Sequence, residues 1–174
     1  MKKALLIIAL AGILFSCVST EDTILSTTGV SLQQSSENWN DLKKIKGNSY
    51  NYDTATTSWT GTNSVTQIIV VNDKVTARNY ETFTMNSQNI KIITNSYFED
   101  KNNLGSNIEG TKPVTIEEVY SDCSQNYLSA KTKDNMVIFK TDSNGIINTC
   151  GYTIKNCQDD CFVGIKITSI LWNN

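Results

Sequence analysis

Apolar residues return at every second position through much of this chain and at helical spacing in only two places. Tyr50–Thr57, Ser64–Val71 and Val75–Phe83 carry aromatic and β-branched residues in the pattern of strands, and Asn72-Asp73-Lys74 supplies a turn between the last two. A weaker strand is expected over Ile90–Tyr97, followed by a polar, Asn/Gly-rich loop from Phe98 to Lys112. Met136–Thr141, Asp142-Ser143-Asn144-Gly145 and Ile146–Ile154 read as a hairpin, because Asn-Gly supplies the positive φ angles of tight turns. A last strand, Phe162–Trp172, is expected to place Val163, Ile165, Ile167 and Leu171 on one face.

The first helical stretch runs from about Ser36 to Lys46, with Trp39, Leu42 and Ile45 on one side and Gly47 at its stop. The second opens on the capping box Thr115-x-x-Glu118, and Ile116, Val119, Tyr120, Cys123 and Tyr127 follow as a stripe. That stripe places Cys123 on the buried side. Helix then strands, repeated once, predicts an α+β domain over residues 35–174. Its expected form is a curved antiparallel sheet of about six or seven strands packed against one or two helices. Residues 17–34, rich in Ser, Thr and Gln, read as a flexible tether.

The amino terminus changes the compartment. Lys2 and Lys3 precede an apolar run from Ala4 to Phe15, 12 residues long, where spanning a bilayer takes about 20. This predicts a signal peptide over residues 1–16. At its end, Leu14-Phe15-Ser16-Cys17 resembles the lipobox of bacterial lipoproteins. The resemblance implies a lipid on Cys17, cleavage before it, and a membrane partner reached through that lipid. The expected location is the bacterial cell envelope, lipid-anchored, at the outer membrane and facing the periplasm or the surface. Loss of Lys2 and Lys3 leaves 13 basic against 17 acidic residues. A net charge near −4 argues against a nucleic-acid partner. Lys43, Lys44 and Lys46 are the one dense basic cluster and read as a solvated helix face.

Four cysteines remain beyond Cys17: Cys123, Cys150, Cys157 and Cys161. An even number in an exported chain predicts two disulfides. Of the three connectivities, Cys123 with Cys150 and Cys157 with Cys161 is favoured, joining helix to sheet and closing a tight loop. A zinc site is the alternative, but only Cys157-x₃-Cys161 has ligand spacing, so no metal and no cofactor are expected. Asp159 and Asp160 stand in that loop and are a candidate partner-binding loop, against the plainer reading of solvated acids in a bridged connection.

Catalysis finds little support. The chain has no histidine, which removes the commonest general base and the usual Ser-His and Cys-His pairs. Asp142-Ser143-Asn144-Gly145 begins like a calcium loop but lacks the later acid, and reads as a turn. Trp39, Trp59, Tyr50, Tyr52, Tyr80 and Tyr97 are expected mostly in packing, with a sugar or peptide platform as the alternative. Asp22-Thr23-Ile24 and Asp53-Thr54-Ala55 match an Asp-Ser/Thr-aliphatic glycosylation pattern of envelope proteins, with Thr23 the accessible one.

The order of elements, together with Val75–Phe83, Thr115–Cys123 and the Gly145 hairpin leading into Asp159 and Asp160, resembles a family of uncharacterised bacterial lipoproteins with a small helix-plus-sheet domain. The resemblance implies no activity. The expectation is a non-enzymatic envelope lipoprotein whose disulfide-stapled domain binds a protein or a small envelope ligand. The alternative is an inhibitor or immunity-type protein that blocks a hydrolase or toxin.

Overall fold

Ser31 caps the first helix by accepting from the Gln34 amide, so α1 runs Leu32–Lys46 and begins four residues earlier than expected. The computed structural model describes residues 24–173. Within it Leu25 bridges to Ser31 and the Ser26 side chain is buried. Residues 24–34 therefore lie against the domain, although their polar composition suggested a tether. The signal peptide, Cys17 and Thr23 lie outside the described residues.

Seven strands follow: β1 (Tyr50–Thr57), β2 (Asn63–Val71), β3 (Lys74–Met85), β4 (Lys91–Asp100), and, after α2 (Ile116–Asp122), β5 (Asn135–Thr141), β6 (Ile147–Ile154) and β7 (Phe162–Trp172). They form one open sheet in the order β4-β3-β2-β1-β7-β6-β5, with every pairing antiparallel. Two meanders meet where the first strand of one pairs with the last strand of the other. The fold is α+β.

Both helices cover one face. Trp39 of α1 meets Tyr50 edge-on at 5.0 Å and stacks on Trp172 at 5.3 Å. Ile45, expected on that face, is 79% exposed. It stands six residues after Trp39, about 120° around a helix of 3.6 residues per turn. Lys43 departs from the solvated face instead, gripping both Asp73 and Glu117. Burial pulls its ammonium downward, but the two carboxylates outweigh this and raise it.

The capping box forms, and Ile116, Val119, Tyr120 and Cys123 are buried. A single π turn, Cys123–Tyr127, ends the helix. Three tyrosine hydroxyls enter the core and meet backbone groups there. Tyr120 donates to Ser35 O at 2.9 Å and accepts from Ile147 N at 3.0 Å. Tyr50 accepts from Ile116 N, an amide at the α2 N-terminus, and Tyr52 donates to Val114 O at 2.6 Å.

One strand face differs from its pattern. Asp53 pairs with Ser169 but Thr54 pairs with Ile167, so Thr168 is an extra residue, a β-bulge. The alternation inverts there: Ile170 and Trp172 pack on the core while Leu171 is 56% exposed. The edge strand β4 is exposed along most of its length and carries its own extra residue, Thr94, opposite Thr82 and Phe83. Such a bulge protects an edge from pairing with other chains.

Candidate functional site

β1 pairs with β2 along its whole length but with β7 only from Tyr50 to Thr54. β7 pairs with β6 only over Phe162–Lys166. The sheet therefore splits beyond Thr54, leaving Ala55–Thr57 and Phe162–Lys166 as two facing strand edges unpaired with each other. Gly164 makes this course possible. Its φ is +152°, and a Cβ there would collide with the Cys150 carbonyl.

The split is closed at both ends. At its root, Ser169 Oγ donates to Asp53 Oδ2 at 2.7 Å and Thr168 Oγ1 to Asp53 O at 3.2 Å. At its tip, Ser58 Oγ and the Trp59 amide donate to the two oxygens of Asp160 at 2.7 and 3.2 Å. Two clefts open from it, and Thr54, Thr56, Thr111, Gly164 and Ile165 line both. The cleft toward α2, about 740 Å³, adds Ser64, Thr66, Tyr80 and Tyr127. The cleft toward the uncovered face, about 570 Å³, adds Ile138, Lys140, Thr149, Phe162 and Lys166. Both volumes fall in the range of small-molecule sites.

A buried ion pair holds the roof of the first cleft. Arg78 Nε and Nη2 donate to Glu99 at 2.9 and 2.7 Å. The remaining guanidinium hydrogens reach the carbonyls of Asn107, Glu109 and Thr111 at 2.9, 3.4 and 3.0 Å. Glu99 also accepts from the amides of Gly105 and Asn107. Arg78 is 1% and Glu99 0% exposed. The guanidinium holds the Glu99 carboxyl well below the usual carboxylate range, more than offsetting burial, and the loop amides add to this. Gly110 then lies flat on the sheet: an added Cβ would stand 2.7 Å from both Thr66 Oγ1 and the Tyr80 ring.

The candidates read from sequence fare differently. Cys123–Cys150 and Cys157–Cys161 are both at disulfide distance, with Cα separations of 5.8 and 6.0 Å. They pin the π turn to β6 and close the loop before β7. Asp160 is occupied within the molecule, bridging that loop to the β1–β2 turn, whereas Asp159 is exposed. Trp39, Tyr50, Tyr52 and Tyr80 are buried, and Tyr97 stacks on Tyr80 at 4.9 Å. Trp59 is 73% exposed, on the turn that Asp160 pins. Thr54 is buried. Asp142 accepts from the Asn144 and Ile146 amides, as a hairpin turn requires.

Sequence reasoning missed Arg78, Glu99 and the split. Arg78 is the sole arginine beside 14 lysines, but it stands out of phase with Val75, Ala77 and Phe83, so nothing local announces its burial. Among the described residues, no three of His, Cys, Asp and Glu are grouped to hold a metal, and no helix is long and apolar enough to cross a membrane. No family model matches the chain, and neither a curated protein nor a solved structure is significantly similar to it.

Proposed function

We propose that this protein is a non-enzymatic envelope lipoprotein, anchored by lipid on Cys17, whose disulfide-stapled domain binds a small ligand in the β1/β7 split. The observation that carries this is the split itself. Two strand edges are held apart by pins at both ends, and the space between them is lined by hydroxyls and a few apolar surfaces. The lining offers hydrogen bonds, and the chain has no histidine to form the usual Ser-His or Cys-His pair. The test is native mass spectrometry of the protein isolated from a bacterial envelope. The expected result is a lipid increment lost in Cys17→Ala and a separate small-molecule adduct lost when Thr56→Trp fills the split. An unlipidated, adduct-free protein would refute both parts.

One observation favours the inhibitor or immunity-type alternative: Trp59 is exposed beside a disulfide-closed loop that carries Asp159. Exposed tryptophans on braced turns are frequent anchors in protein interfaces. On that reading Trp59→Ala abolishes inhibition of the target hydrolase while Thr56→Trp does not.

A further inference from the structure

Lys140, Thr149 and Lys166 form one cross-strand row: Thr149 pairs with Lys140 of β5 on one side and with Lys166 of β7 on the other. Directly paired residues share a face, so both lysines stand on the uncovered side of the sheet, flanking a threonine that is 8% exposed. Their Cα atoms are two strand spacings apart, roughly 10 Å, a gap that two lysine side chains can close upon one acid group. Neither makes an ion pair among the described residues. The one acid lining this cleft, Asp160, has both oxygens engaged by Ser58 and Trp59. A chain that is acidic overall thus turns a net positive cleft outward at the split. Beside the lysines the wall becomes apolar, with Ile138 and the Phe162 ring; the ring lies over Gly151, where any side chain would collide with it.

We propose that the open-face cleft binds an anionic organic molecule, a carboxylate or phosphate monoester, with its acid group between Lys140 and Lys166 and its apolar part against Phe162 and Ile138. This rests on the reading of the split as a ligand site and names the ligand class. Paired ammonium groups bind such anions as point charges.

The test titrates the exported full chain carrying Cys17→Ala with benzoate, phenyl phosphate and neutral benzyl alcohol, following amide shifts. The expected result is binding of the two anions with marked weakening by salt. Each of Lys140→Gln and Lys166→Gln is expected to lose at least tenfold affinity, and Lys155→Gln to lose none. A stronger response to phenyl phosphate or to benzoate distinguishes a phosphate from a carboxylate ligand. Equal binding of benzyl alcohol, unchanged in the lysine variants but lost in Thr56→Trp, would overturn the anion proposal and leave the split as a ligand site. Anion binding that survives Thr56→Trp, or no binding by any probe, would overturn both.

Discussion

Replacing Arg78 with Met tests how the roof of the α2-side cleft is held. The substitution keeps a long apolar stem but removes every donor to Glu99 and to the carbonyls of Asn107, Glu109 and Thr111. Glu99 would remain fully buried as a carboxylate without its counter-ion. Breaking a buried pair from one side costs about 3–5 kcal/mol. For a domain of this size each kcal/mol lowers the melting temperature by about 2–4 °C, so calorimetry should show a fall of about 6–20 °C. The loss has a pH signature, because Glu99 is depressed in the folded state. Its contribution is full above its ordinary pKa of 4.5 and disappears as pH falls below that value toward the folded one. Glu99→Gln should therefore flatten the acid limb of the stability curve below about pH 4.5. Arg78→Met with Glu99→Leu should recover much of the stability, since apolar replacement of both partners removes the stranded charge. An Arg78→Met variant within 1 kcal/mol of the parent in urea melts would refute the reasoning.

Other consequences are separable. By loop-closure entropy, losing Cys123–Cys150, with a separation of 27, should cost about 3.5 kcal/mol, and losing Cys157–Cys161, with a separation of 4, about 2 kcal/mol; urea melts of paired Cys→Ala variants check the ranking. Tyr120→Phe should cost about 1–3 kcal/mol, because Ile147 N loses its buried acceptor. Burial pushes the Tyr120 hydroxyl up to about 12 from 10.0. Its contribution is therefore full below pH 10 and is lost as pH rises through about 12, and Tyr120→Phe should remove that share of the alkaline limb. Gly164→Ala should destabilise by more than 1 kcal/mol, since both its φ and its contact with Cys150 exclude a side chain.

The strands were legible because their side chains alternate with the face they bury. Tyr50, Tyr52 and Thr54 are buried while Asn51 and Asp53 between them are partly open, a period of two that needs no knowledge of partners. The start of α1 was not legible, because Leu32-Gln33-Gln34-Ser35 is mostly polar and its buried member, Ser35, is satisfied by a tyrosine 85 residues away. Leu171 was misplaced because nothing local to residues 167–170 announces the bulge at Thr168; it arises from pairing with β1. The ion pair joins residues 21 apart on neighbouring strands, and each alone resembles an ordinary surface charge. The split was beyond reach for the same reason. It depends on where two strands, distant in sequence, cease to pair.

The most direct test of the ligand site is amide-shift mapping of the exported Cys17→Ala chain against the small-molecule fraction of a bacterial envelope. Changes are expected around the split, at Thr54–Ser58, Thr111, Ile138–Lys140, Thr149 and Phe162–Lys166, and are expected to be lost in Thr56→Trp; changes centred on another surface, or persisting in that variant, would contradict the ligand site.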